Sequence, residues 1–154
     1  MSLQCSIEDW PGQPALTVRL RTPVERLPQV MGSSYGAIAG YLAQLGEQPA
    51  GAPFTAYHNM DMKDLDVEIG FPVSRPLPPR DEIQAGEMPD GAVATCRFTG
   101  PYGEIHSAYE ALTRWMAEQG HRPTGVAYEL YLNDPAVTPP AELETQIAFP
   151  LTRK

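Results

Sequence analysis

The chain has 154 residues, enough for one domain with a real core, and 42% of them are hydrophobic. No run approaches the roughly 20 apolar residues that cross a bilayer, which excludes a helical membrane span. A net charge of −8, from eleven basic against nineteen acidic residues without a basic run, excludes the phosphate-neutralising surface of a nucleic-acid binder. The first twenty residues lack a basic start and an apolar run, so no secretory leader is expected and a cytoplasmic location follows.

In chain order, Ala15 to Arg21 reads as a strand that stops before Thr22-Pro23. Leu27 to Leu45 is predicted helical, with Leu27, Val30, Met31, Ile38, Leu42 and Leu45 at three-to-four spacing and Gly46 as its stop. Phe54 to His58 and Leu65 to Val73 follow as strands, the second alternating Leu65, Val67, Ile69 and Phe71 against Asp66, Glu68 and Gly70. Ser74 to Arg80, SRPLPPR, is a linker. Glu82 to Met88 and Ala92 to Phe98 read as a hairpin turning at Pro89-Asp90-Gly91. A helix from about Tyr102 to Gln119 carries Ile105, Tyr109, Leu112, Trp115 and Met116 on one stripe, with Gly120 as the stop. Strands at Ala127 to Leu132 and Leu143 to Leu151 complete the chain.

The two halves repeat. At a shift of 74, Tyr35, Ala37, Ala43, Gly46, Pro49, Gly51, Tyr57 and Asn59 fall on Tyr109, Ala111, Ala117, Gly120, Pro123, Gly125, Tyr131 and Asn133. At a shift of 78, Leu65, Ile69, Phe71 and Pro72 fall on Leu143, Ile147, Phe149 and Pro150. The expected fold is therefore α+β: two duplicated strand-helix-strand-strand units, about 15–73 and 82–151, joined by the 74–80 linker. They would form one mostly antiparallel sheet of about eight strands with two main helices. Neither half buries its sheet face well alone, so residues 1–154 read as one domain.

Several chemistries find no support. Cys5 and Cys96 are too few and too far apart in sequence for a disulfide framework or a metal site. His58, His106 and His121 show no ligand spacing with either cysteine, and His58 beside Asn59 and Asp61 reads as a solvated turn. No Ser-His-Asp or Cys-His set stands out, and Gly32 to Gly40 lacks the lysine of a phosphate loop. No cofactor and no metal are expected.

The motifs YHN (Tyr57–Asn59), DVEIGFPV (Asp66–Val73), GPY (Gly100–Tyr102), YELYLNDP (Tyr128–Pro135) and ELETQIAFP (Glu142–Pro150), in that order, resemble the GyrI-like domain. The resemblance runs from about Leu16 to Leu151. It implies a cleft on an internal pseudo-twofold axis, where drug-sensing members place a strand glutamate among aromatic rings to meet cationic, hydrophobic compounds. The matching residue is Glu129. The resemblance also implies no helix-turn-helix here, since the first expected strand starts near residue 15, and hence no direct contact with nucleic acid.

Alternation puts Ala127, Glu129 and Tyr131 on one face of their strand, with Thr55 and Tyr57 as repeat partners. On alternation alone a strand glutamate faces water; the resemblance sets it in the cleft. The expected ligand-binding residues are Glu129, Tyr57, Tyr102, Trp115, Tyr131 and Phe149. Tyr102 reads equally as a ligand contact or a turn aromatic. Trp115 fits the helix core as well as a pocket wall, and Phe149 fits either role. The resemblance implies a small-molecule binder or sequestering protein, with two alternatives. One is a hydrolase of cyclopropane-bearing alkylating toxins, in which Glu129 is catalytic beside a tyrosine; the other is a protein-interaction module of gyrase-inhibitor type.

Overall fold

The computed structural model describes residues 4–152 and builds six strands and two α-helices from them. They are β1 (Cys5–Thr22), α1 (Leu27–Gln44), β2 (Phe54–Tyr57), β3 (Leu65–Pro72), β4 (Gln84–Thr99), α2 (His106–Gln119), β5 (Ala127–Tyr131) and β6 (Glu144–Pro150). The class is α+β as expected, but six strands replace the expected eight or so. The hairpin expected at Pro89-Asp90-Gly91 does not form; both of its arms belong to the single strand β4. Gly91 at φ 114° lets the chain bend there without reversing. In the same way β1 starts at Cys5, ten residues early, and passes Pro11-Gly12 with Gly12 at φ 72°.

The chain divides into two compact units, Pro11–Asp90 and the stretch from Gly91 onward together with the residues through Trp10. In the Pro11–Asp90 unit β3 is central. Its register with β1 runs from Ala15↔Pro72 to Thr22↔Leu65, and with β2 from Phe54↔Gly70 to Tyr57↔Val67, both antiparallel. Leu65, Val67 and Ile69 of β3 are buried beneath Leu27, Val30, Met31 and Tyr35. A second cluster joins Leu16 and Val18 to Ile38, Tyr41 and Leu42 of α1 and to Leu77 and Ile83. Leu77 thus anchors the expected linker in the core.

In the other unit β6 is central, paired antiparallel with β4 from Val93↔Pro150 to Thr99↔Glu144 and with β5 from Tyr128↔Ala148 to Tyr131↔Thr145. Ala94, Cys96, Phe98 and Ile147 meet Ala108, Leu112 and Met116 of α2. Each large side chain buried this way is worth about 1.5–3 kcal/mol, which holds α2 on the sheet despite its weak apolar content. Its first turn, Tyr102–Glu104, is 3₁₀ rather than α. Cys5 packs against this cluster and its side chain is hydrogen-bonded to Cys96. The two cysteines, far apart in sequence, are neighbours in space.

The units share their hydrogen bonds as well as their element order. After α1 and α2, Gly46 at φ 71° and Gly120 at φ 78° reverse the chain, and Glu47 N–H and His121 N–H close onto Leu42 O and Met116 O at 2.9 Å. Asn59 accepts from Asp66 N–H at 2.9 Å and donates to Asp64 O at 3.0 Å. Asn133 accepts from Glu144 N–H and donates to Glu142 O at the same distances. These clamps explain why glycine and asparagine recur at the shift of 74: each closes a loop through the backbone in a way that no other residue type does as well.

Candidate functional site

Glu129 stands in the middle of β5 and is 9% exposed. β5 has only β6 beside it within the unit, and the register sets Glu129 opposite Ile147 and Tyr131 opposite Thr145. Directly opposed residues share a face, so Glu129, Tyr131, Thr145, Ile147 and Phe149 lie on the face that carries α2. The glutamate therefore points towards the helix, away from the water it would meet on an uncovered sheet.

Two tyrosines meet the carboxyl. Tyr109, from α2, donates its hydroxyl to Oε2, and Tyr131, two residues along β5, donates to Oε1 at 3.0 Å. Burial pushes the Glu129 carboxyl above its ordinary range, and the two hydroxyls oppose that rise by stabilising the carboxylate, Tyr109 more than Tyr131. The net direction is upward.

Aromatic rings extend the site on both sides. Tyr102 meets Tyr131 edge to face, with ring centroids 5.7 Å apart at 65°, and Tyr109 meets Phe149 at 5.8 Å and 79°. Tyr102 is 38% exposed and so borders solvent. Its phenol is pushed up, chiefly by burial and then by the charges of Glu129 and Asp134. Thr145 is fully buried opposite Tyr131, and its Oγ1 has no hydrogen-bond partner among the described residues.

Of the residues expected from sequence, Glu129, Tyr131 and Tyr102 come together, and Phe149 joins them through Tyr109. Trp115 packs against the Leu112–Met116 core cluster, and its ring partner is His121, at 5.9 Å and 31°. Tyr57 belongs to the Pro11–Asp90 unit, half-buried against Leu65, Val67 and Ile69. The residue sequence reasoning missed is Tyr109, which reads there as one apolar position on a helical stripe. Its match to Tyr35 was the available signal, because a tyrosine kept in both halves has a hydroxyl to place.

Tyr35 makes the same reach in its own unit. Its hydroxyl donates to Phe54 O at 2.6 Å and lies 3.1 Å from Thr55 Oγ1, while its ring meets Phe71 at 5.3 Å and 65°. Thr55 is the repeat partner of Glu129. One frame of tyrosine, strand residue and phenylalanine thus occurs twice, with a neutral hydroxyl at the centre of one and an acid at the centre of the other.

Among the described residues no group of three or more His, Cys, Asp and Glu is arranged to hold a metal ion. None of their helices is long and apolar enough to cross a membrane. The arrangement around Glu129 is suited to holding a hydrophobic group against rings, with the polar or charged centre of that group on a shielded carboxyl.

Comparison with known proteins places these features in context. The family model of the GyrI-like small molecule binding domain matches residues 3–152. No curated protein matches the sequence. Among solved structures, the EcmrR C-terminal domain is 21% identical with a TM-score of 0.83, each chain covered in full. EcmrR in its complex with DNA is 22% identical with a TM-score of 0.85; 99% of this chain is covered, and it spans 58% of the EcmrR chain. SAV2435 bound to tetraphenylphosphonium is 10% identical with a TM-score of 0.68, covering 99% of this chain and 94% of that one. A hydrolase from Listeria innocua is 16% identical with a TM-score of 0.67, covering 97% and 92%. At these identities the structural likeness concerns the fold.

Proposed function

Since the chain belongs to the GyrI-like small molecule binding family, we propose that it captures hydrophobic cationic aromatic compounds, with Glu129 as the carboxylate that meets the positive charge. The observation that carries this reading is a glutamate 9% exposed, held by the hydroxyls of Tyr109 and Tyr131. Removing a carboxylate from water is costly, and a lipophilic cation, itself poorly hydrated, offsets that cost on arrival. Tyr102, Tyr131 and Phe149 offer ring faces and edges, and cation–π attraction adds about 0.5–2 kcal/mol for each face engaged. The expected affinity is in the low micromolar range, about −8 kcal/mol. A neighbour of the same fold, SAV2435, was solved with tetraphenylphosphonium, a compound of this description.

Burial pushes the Glu129 pKa up and a bound cation would push it down, so capture at a pH between the two values releases a proton. Calorimetry in buffers of different ionisation enthalpy reads that release directly.

The alternative within the same fold is catalysis, in which Glu129 activates a water and Tyr102 or Tyr131 polarises the substrate. Incubation with an excess of a cyclopropane-bearing alkylator separates the two. A binder protects one equivalent and saturates; a hydrolase converts many equivalents to the ring-opened hydrate. Binding is the favoured reading, because the family model that matches the chain is that of a small molecule binding domain.

A further inference from the structure

A cavity of about 370 Å³ lies within the Pro11–Asp90 unit and shares no lining residue with the site around Glu129. Small-molecule sites usually measure about 300–1,000 Å³, so there is room for a compact ligand. One side of the cavity is α1, which presents only Ser33, Ser34 and Ala37 to it. The opposite side is the turn from Arg80 to Ile83, whose end residues exchange both backbone hydrogen bonds at 2.9 Å while Asp81 takes a φ of 53°. Short side chains on the helix and a fixed turn leave the space between them open.

The polar groups of the lining are unequally satisfied. Arg80 donates Nη1 to Gln44 Oε1, its guanidinium lies 4.5 Å over the Tyr41 ring, and its Nε is 3.9 Å from Asp81 Oδ2. Asp81 therefore has a counter-charge. Glu82 has neither an ion pair nor a hydrogen bond among the described residues, which makes it the uncompensated charge of the cavity. Ser34 is 6% exposed, yet its hydroxyl makes no hydrogen bond among the described residues. A buried hydroxyl without a partner is costly, and this one borders a space from which a ligand can supply that partner. Val18 and Ile83, each 5% exposed, complete the lining with apolar surface.

We propose that this cavity binds a short aliphatic primary amine, with the ammonium N–H bonds directed to Glu82 and to the Ser34 hydroxyl. The alkyl chain rests on Val18, Ala37 and Ile83.

The test titrates butylammonium into the full chain carrying Glu129→Gln, so that the acid of the first site takes no part, and follows the Val18 and Ile83 methyl signals by NMR. Both signals should shift and saturate. Butanol, which has the same chain and no charge, should bind about threefold more weakly, and Glu82→Gln should weaken butylammonium to the same extent, the scale of an exposed charge pair. Ser34→Ala should weaken it about fivefold, the scale of one hydrogen bond. Ala37 is exposed, so Ala37→Leu keeps the helix, fills the cavity and should abolish the shifts. No saturation, an equal affinity for butanol, or undiminished binding in any of the three folded variants would overturn the proposal. Glu82 is exposed and its replacement leaves the fold intact, which keeps that outcome readable whatever the helix variants do.

Discussion

Tyr109 on α2 donates its hydroxyl to Oε2 of Glu129 on β5, so the helix and the strand of this unit are joined at the one buried acid between them. The same tyrosine rests its ring against Phe149. It therefore has two roles, packing the helix and tuning the carboxyl. The tuning has a definite sign: the hydroxyl stabilises the carboxylate against a burial that favours the acid.

Tyr109→Phe keeps the ring and deletes the bond. The carboxyl should then rise further, and cation binding should need a higher pH to reach its full strength. A hydrogen bond to a charged group is worth about 1.5–3 kcal/mol, so affinity at neutral pH should fall roughly tenfold or more. Tyr131→Phe should act in the same direction and less. Dissociation constants measured against pH for the two variants check both the sign and the order; unchanged profiles would mean that neither hydroxyl meets an ionised Glu129.

Stability should depend on the same group. The folded carboxyl sits above the unfolded one, so its favourable contribution is complete below the unfolded value and is lost as pH rises through the folded value. Glu129→Gln escapes that loss. The unliganded variant should melt above the wild type at neutral pH, and the gap should close as the pH falls towards about 4, the ordinary range of a glutamate. Each 1 kcal/mol moves the melting temperature of a chain this size by about 2–4 °C, which scanning calorimetry resolves.

Much of this was legible in the sequence because periodicity and repetition report what the backbone needs. Gly46 with Gly120 and Asn59 with Asn133 recur since they close loops, and the matched shifts found them. The strand count was not legible. Pro89-Asp90-Gly91 carries the chemistry of a turn, and nothing in those three residues tells that the chain runs through them as one strand. At the site, alternation put Glu129 and Tyr131 on one face, but it says nothing of what covers that face. Tyr109 was hidden for this reason: its hydroxyl matters only once α2 is laid across β5. Cys5 and Cys96 were hidden in the same way, since sequence distance carries no information about neighbouring strands.

That cysteine pair gives an independent check on the core. Cys96 is 2% exposed, and burial with the Cys5 contact pushes its thiol up to about 12. Cys5 is also pushed up by burial, less so, and is partly exposed. In the native chain at about pH 8, close to the ordinary thiol range, an alkylating reagent should label Cys5 slowly and leave Cys96 unlabelled, and denaturant should release both. Peptide mass spectrometry identifies the labelled site; equal labelling of both thiols in the folded chain would contradict the burial of Cys96.

The most direct test is a titration of tetraphenylphosphonium and of neutral triphenylphosphine oxide into wild type and Glu129→Gln from about pH 5 to about pH 9. Wild type should bind the cation at low-micromolar concentration at the alkaline end, about −8 kcal/mol, and progressively more weakly as Glu129 takes up its proton. Glu129→Gln should bind the cation at least tenfold more weakly at the alkaline end and without that pH dependence, while the oxide binds both chains alike. Equal losses for the cation and the oxide, or a cation affinity untouched by the substitution, would contradict the account.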